Sequence, residues 1–70
     1  MGIRERFAAA LLTERRRRRL SQHDLAERAK MSTSYVSMLE RGLRSPPLET
    51  IEALAKALHI HPARMVGGKA

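Results

Sequence analysis

The sequence predicts a single all-α domain of five short helices. Its hydrophobic residues make up 43% of the chain, and only one Phe, one Tyr and no Trp are among them. This composition favours helices, because strands are enriched in aromatic and β-branched residues. Apolar residues recur at helical spacing, and Ser, Pro and Gly separate the periodic segments, as expected where helices begin and end. The 70 residues leave room for one domain, which buries only about 60% of the surface of its unfolded chain.

The first helix is predicted from about Ile3 to about Arg17. Ile3, Phe7 and Leu11 repeat every four residues with Ala10 beside them, which places apolar side chains on one helix face. Leu20 follows the helix and is expected to contact the core.

A second helix of about two turns is predicted after Ser21. This serine occupies an N-cap position, and Asp24 stands three residues later, where a capping box has an acidic residue. The side chains expected to face inward are Leu25, Ala26 and Ala29.

A third helix follows, over about residues 32 to 41. Ser32 is its predicted N-cap, Val36 and Leu39 are its inward positions, and Gly42 marks its end, as glycine commonly does.

Proline residues introduce two further helices. Pro47 is predicted at the first position of a fourth helix, since proline is well tolerated there. His61 and Pro62 then precede a last helical turn from Ala63 to Val66, and residues 67 to 70 form a flexible tail. The apolar stripe of the fourth helix comprises Leu48, Ile51, Leu54, Ala55 and Leu58.

The stretch LSQHDLAERAKMSTSYVSMLERG at residues 20 to 42, followed by RSPPLETIEALAKAL, resembles the Cro/Xre-type, phage-repressor-like helix-turn-helix family. The resemblance covers nearly the whole chain, from about Phe7 to Val66. It implies a lambda-repressor-like fold in which helices 2 and 3 form the helix-turn-helix. In such a motif the outer surface of the second helix is free to lie in the major groove of DNA.

The resemblance also implies roles for individual residues. Gln22 would bond a backbone phosphate, and Tyr35 would reach a phosphate or a base. Arg15 would pair with Glu40 and so hold the first helix against the third. The side chains that would project toward base edges are Thr33, Ser34, Ser37 and Met38.

Two residues depart from the family pattern. Lys30 and Arg19 stand where relatives have glycine. A side chain in the left-handed conformation that such a turn requires costs about 1 to 2 kcal/mol. Either the turn at Lys30 tolerates this strain or its conformation is rearranged.

Positive charge is concentrated in one part of the chain. The net charge is +7, and residues 15 to 44 carry nine basic and three acidic residues, which is the distribution expected of a protein that docks on phosphates. Within the run at residues 15 to 19, Arg16 and Arg18 are candidates for phosphate contact; the alternatives are a solvated helix end and a membrane-surface or targeting role. Arg41 and Arg44, just past the third helix, are candidates for phosphate or narrow minor-groove contact.

Other classes of function are disfavoured. The absence of cysteine excludes disulfides and thiolate metal sites, and His59 and His61 have no third ligand near them in sequence. We therefore expect no metal and no cofactor.

No serine has a histidine and a carboxylate placed to activate it, and 70 residues leave little room for a substrate cleft, so the chain is not expected to be an enzyme. No apolar run is long enough to span a bilayer, and charged residues interrupt the N-terminus; the expected location is the cytoplasm of a prokaryotic or phage-infected cell, at the nucleoid.

The sequence thus predicts a sequence-specific regulator of transcription that binds duplex DNA without a small-molecule effector. A homodimer is expected, because two half-sites about 34 Å apart increase the affinity of a small module. Its predicted dimer surface consists of Ile60, Met65 and Val66. The competing interpretation is a protein-interaction adaptor or toxin-partner module in which DNA contact is secondary.

Overall fold

The computed structural model describes residues 2–66, and this part of the chain is entirely helical apart from its turns. Four α-helices and one short 3₁₀ helix follow one another: α1 (Ile3–Arg17), α2 (Gln22–Ala29), α3 (Thr33–Glu40), α4 (Leu48–Leu58) and the 3₁₀ helix (Pro62–Val66). The predicted all-α class is confirmed, although the fifth element is a 3₁₀ helix and not an α-helix. The predicted tail at residues 67 to 70 lies outside the described residues.

Serine side chains begin α2 and α3. At α2, the Asp24 amide donates to Ser21 Oγ over 2.9 Å and the Ser21 amide donates to Asp24 Oδ2 over 3.0 Å, so the predicted capping box is complete. The hydrogen bond from the Ser21 amide, together with the Ser21 hydroxyl, lowers the pKa of the Asp24 carboxyl. At α3, the Tyr35 amide donates to Ser32 Oγ over 3.0 Å, which confirms Ser32 as the N-cap.

The two proline-containing starts differ slightly from expectation. Pro47 is the N-cap of α4 and not its first helical residue, and its carbonyl accepts from the Ile51 amide over 3.1 Å. Before the 3₁₀ helix, His61 Nδ1 accepts a hydrogen bond from the Ala63 amide over 3.0 Å. His61 therefore caps this helix as Ser21 and Ser32 cap α2 and α3.

Among residues 2–66, three non-glycine residues adopt the left-handed conformation at helix ends: Arg19, Lys30 and His59, with φ of 54°, 58° and 58°. At Lys30 the turn keeps the geometry that glycine normally supplies, with hydrogen bonds from the Lys30 amide to the Glu27 carbonyl and from the Met31 amide to the Ala26 carbonyl. The chain thus tolerates the strain at this turn and does not rearrange it.

Side chains from all five helical elements form one hydrophobic core. Its largest fully buried members are Phe7, Leu11, Leu25, Leu39, Leu54, Leu58, Met65 and Val36. Two predicted core positions are wrong: Ile3 and Leu48 are 67% and 75% exposed, because each is the first residue of its helix and lies beyond the packed turns.

The predicted dimer surface is wrong at Met65. Its side chain is fully buried in the core, so it has no surface to offer a second protomer. Ile60 and Val66 are only half-buried, and their contact with a second protomer stays a prediction.

Candidate nucleic-acid interface

Helix α3 has one buried face and one polar, solvent-facing face. Val36 and Leu39 are completely buried and fix the orientation of the helix. On the other side, Thr33 and Ser34 are exposed, while Ser37 and Met38 are half-buried. The four side chains that were expected to reach base edges are thus accessible to a ligand; we call them the α3 polar face.

A nearly buried ion pair connects α1 to the last residue of α3, the helix that carries this face. Arg15 Nε donates to Glu40 Oε2 over 2.6 Å and Arg15 Nη2 to Glu40 Oε1 over 3.0 Å, and the two side chains are 12% and 4% exposed. The hydrogen bonds from Arg15 to Glu40 raise the pKa of the guanidinium. Arg15 Nη1 also donates to the Leu20 carbonyl over 2.8 Å. The pair therefore holds the end of α3 against the end of α1.

Gln22 extends this network to α2. Its Nε2 donates to Glu40 Oε1 over 3.0 Å, so one carboxylate connects α1, α2 and α3. Gln22 is also the first residue of α2, and the backbone amides in the first turn of a helix point outward without intrahelical acceptors. Its side chain is thus fixed in place. At this end of α2 the Asp24 amide and carboxylate belong to the capping box with Ser21, so an anion would meet the backbone amides of Gln22 and His23.

His23 contacts the α3 polar face directly, which the sequence analysis did not anticipate. Its Nδ1 lies 3.3 Å from Thr33 Oγ1, and its Nε2 lies 3.8 Å from Glu27 Oε2. The spacing of His23 and Glu27 by four residues is visible in the sequence. The contact with Thr33 depends on the angle between α2 and α3, so it cannot be seen in the sequence.

Three arginines predicted to contact phosphate are freely accessible: Arg16 at the end of α1, and Arg41 and Arg44 after α3. Tyr35 is half-buried and packs against the core. The guanidinium groups of Arg16, Arg41 and Arg44 are therefore available to a polyanion.

Arg18 is placed differently from these arginines. Its Nη1 donates to Glu14 Oε1 and to the Glu14 carbonyl, both over 2.8 Å, and Arg64 Nη2 donates to Glu14 Oε2 over 3.0 Å. The Glu14 side chain is 8% exposed, and the hydrogen bond from Arg18 is the main cause that lowers its pKa, against the opposing effect of burial. Arg64 thus attaches the 3₁₀ helix to α1 through Glu14, and Arg18 holds the Glu14 carboxylate in place. The sequence analysis missed Glu14, although its spacing of four residues from Arg18 was a signal.

Neither a metal site nor a membrane span is found among the described residues. Residues 2–66 include no group of three or more His, Asp or Glu side chains that could hold a metal ion. None of the helices in this range is long and apolar enough to cross a membrane.

Comparison with known proteins supports the resemblance seen in the sequence. The helix-turn-helix family pattern matches residues 11–64. The immunity repressor protein of Bacillus phage phi105 is 45% identical over 53 residues, which are 76% of this chain and 37% of the repressor. An uncharacterized HTH-type transcriptional regulator of Sinorhizobium fredii, y4dJ, is 33% identical over 66 residues, 94% of this chain and 86% of that protein.

The chain spans only about a third of the phage repressor and of a regulator from Mycobacterium tuberculosis that it also matches, with shares of 37% and 34%. Solved structures agree over more of their length. The restriction-modification controller protein C.AhdI from Aeromonas hydrophila is 37% identical with a TM-score of 0.86, covering 89% of this chain and 94% of its own. The clp gene regulator ClgR from Corynebacterium glutamicum is 31% identical with a TM-score of 0.87, covering 93% and 84%.

The named relatives are repressors, controllers and regulators of genes and not enzymes, in agreement with the predicted absence of a catalytic role. The match over residues 11–64 includes both helices of the motif, α2 and α3, together with the ion pair that positions them. The chain belongs to the helix-turn-helix family of DNA-binding transcriptional regulators.

Proposed function

We propose that this protein binds duplex DNA sequence-specifically, with α3 lying in the major groove and the α3 polar face directed at base edges. The observation that carries the proposal is the exposure of this face on a helix whose opposite side, Val36 and Leu39, is completely buried. A major groove about 12 Å wide admits one α-helix. The buried Arg15–Glu40 pair supports the proposal because it prevents α3 from shifting relative to the rest of the domain.

The chemistry of the face suggests how bases would be distinguished. Hydroxyl groups of Thr33, Ser34 and Ser37 can donate to or accept from several bases, and Met38 can contact the methyl group of thymine. The face has no Arg, Asn or Gln for a bidentate contact. Direct readout is therefore modest, and part of the specificity is expected to come from the shape of the DNA.

Contacts to the DNA backbone would come from both ends of the motif. We expect Gln22 and the first backbone amides of α2 to bind one phosphate, and Arg16, Arg41 and Arg44 are exposed. The engagement of Arg18 with Glu14 favours a structural role for Arg18 over a phosphate contact. Tyr35 remains a candidate for contact with a phosphate or a base.

We further propose that the protein acts as a homodimer on two half-sites, at chromosomal or phage DNA in the cytoplasm of a prokaryotic cell. Ile60 and Val66 are half-buried apolar residues, and Val66 borders a small cavity of about 140 Å³ that Ile3 and Ile51 also line. Light scattering at tens of micromolar should detect a dimer, in the free state or on DNA. A monomer under both conditions would contradict this part of the proposal.

Selection of bound sequences from a random duplex pool tests DNA binding. The wild-type protein should enrich a defined site. The variant Ser37→Ala should lose preference at one base position and bind the selected site about fivefold more weakly, as expected for one lost hydrogen bond of about 1 kcal/mol. The control Arg6→Ala alters an exposed residue of α1, outside α3, and should leave the enriched site unchanged. Enrichment of no sequence by the wild-type protein would refute the proposal.

Arg44 allows backbone and shape contributions to be tested separately. Arg44→Ala should reduce the slope of log K against log salt concentration by about 1 and relax preference at base pairs that α3 does not reach. A sequence profile identical to that of the wild-type protein would exclude a role for Arg44 in reading DNA shape.

A further inference from the structure

A positively charged groove lies between α2 and α4. It has a volume of about 660 Å³ and is lined by Arg28, Ala29, Lys30, Ala53, Lys56, Ala57 and His59. Most of these residues belong to the last turns of α2 and α4 and to the left-handed residues that end them, and Ala53 lies near the middle of α4. None of them lies on α3, so the groove is separate from the α3 polar face.

The groove combines a basic rim with a floor of small apolar side chains. Arg28, Lys30, Lys56 and His59 are exposed, whereas Ala29 and Ala57 are 9% exposed. No acidic residue lines the groove, and its three Lys and Arg side chains take part in none of the ion pairs found among residues 2–66.

Cations near helix C-termini interact favourably with the helix dipole, but this does not explain the whole arrangement. Cations at two separate helix ends would interact equally favourably with the two helix dipoles if they did not face a common groove. The convergence of three cationic side chains, Arg28, Lys30 and Lys56, on one concave surface raises the local positive potential and favours an anionic ligand.

We propose that this groove binds an acidic peptide segment of a partner protein. The methyl groups of the alanine floor can pack against the backbone and small apolar side chains of an extended or helical segment, while the rim pairs with its carboxylates. A free phosphate ion fits less well, because the floor offers no polar donor to it.

The position of the groove also argues against assigning it to the DNA backbone. Gln22 and Arg28 are six residues apart on α2, which corresponds to about 9 Å along a helix axis. The amide end of α2 is the end placed to meet a phosphate, and the groove lies at the opposite end. The partner and DNA can therefore be bound at the same time.

Fluorescence anisotropy with the full chain tests the proposal. The probe is a labelled peptide in which Asp and Glu alternate with Ala and Leu, and the control peptide has Asn and Gln in place of the acids. Lys56→Glu should weaken binding of the acidic peptide by about tenfold, equivalent to about 1.4 kcal/mol. Arg6→Glu changes the net charge equally at another exposed helical position and should change the affinity by less than about twofold.

Amide chemical-shift mapping on the wild-type protein provides a second measurement that does not depend on the folding of a variant. The acidic peptide should shift amides of the groove residues and leave residues 33 to 38 unperturbed, and saturating duplex DNA should not displace it. Three results would overturn the proposal: no binding of the acidic peptide, equal losses for Lys56→Glu and Arg6→Glu, or displacement by DNA with shifts on α3.

Discussion

Replacing Arg15 with methionine tests whether the Arg15–Glu40 ion pair positions α3. The substitution keeps an apolar stem of similar length but removes both hydrogen bonds to Glu40 and the one to the Leu20 carbonyl. Glu40, whose side chain is 4% exposed, would then keep only the hydrogen bond from Gln22. Removing one partner of a buried pair costs about 3 to 5 kcal/mol, since the remaining charge is left uncompensated.

The lower end of that range is expected, because the Arg15 side chain retains 12% exposure and water can reach part of the vacated site. A domain of this size has a free energy of unfolding of about 4 to 10 kcal/mol, so a loss of about 3 kcal/mol is large. It should lower Tm by about 12 to 24 °C, given about 4 to 8 °C per kcal/mol for domains of this size.

Urea unfolding followed by far-ultraviolet circular dichroism would measure the loss, with Arg17→Met as the matched control. Arg17 is 62% exposed and lies 3.6 Å from Glu14, and exposed pairs contribute at most about 1 kcal/mol. In the double variant Arg15→Met with Glu40→Met, much of the loss should be recovered. The reasoning would be refuted by a loss below about 1 kcal/mol for Arg15→Met, or by additive effects in the double-mutant cycle.

Three further predictions concern turns, caps and pH. Lys30→Gly should stabilise the protein by up to about 1 kcal/mol, because removal of the left-handed strain outweighs the extra entropy of glycine in the unfolded chain; a loss of stability in urea unfolding would be inconsistent with the observed φ of 58°. Ser21→Ala should cost about 1 kcal/mol and increase amide hydrogen exchange in the first turn of α2, and unchanged exchange there would argue against the capping box. The pKa values of Glu14 and Asp24 are lowered in the folded protein, so each carboxylate stabilises the fold fully above its ordinary pKa, which is 4.5 for Glu14 and 3.8 for Asp24. This stability is lost as the pH falls through the lower pKa values of the folded state. Glu14→Gln should therefore flatten the fall in stability below about pH 4.5, and an acid transition as steep as that of the wild-type protein would exclude Glu14 as a contributor.

Local signals in the sequence were sufficient to locate most helix ends. The Ser21 and Ser32 caps act within four residues, and a capping hydrogen bond depends only on local backbone geometry. Gly42, with φ of 73°, likewise follows α3 in the conformation that glycine favours. These features could be predicted because sequence neighbours alone determine them.

Burial at the helix ends could not be predicted in the same way. Periodicity assigns Ile3 and Leu48 to the inner faces of α1 and α4, but whether a first residue reaches the core depends on the crossing of neighbouring helices. Met65 shows the converse: it was assigned to the dimer surface together with Ile60 and Val66, yet it is fully buried. The end of α4 places His59 in the left-handed conformation, and a histidine at this position does not indicate that conformation in the sequence.

The candidate interface was predictable mainly where a family pattern connects distant positions. The pairing of Arg15 with Glu40 spans 25 residues and was expected from the resemblance, whereas no local rule would have suggested it. The contact of His23 with Thr33 and the attachment of Arg64 to Glu14 have no such pattern behind them. The α2–α4 groove is assembled from residues that are far apart in sequence and required the three-dimensional structure.

Amide chemical-shift mapping with a duplex selected from a random pool tests the placement of α3 most directly. If α3 enters the major groove, the largest changes should lie at residues 33 to 38 and at Gln22, with the amides that line the α2–α4 groove nearly unchanged. A footprint centred on any other surface, with the α3 amides unperturbed at saturation, would contradict the proposed mode of DNA binding.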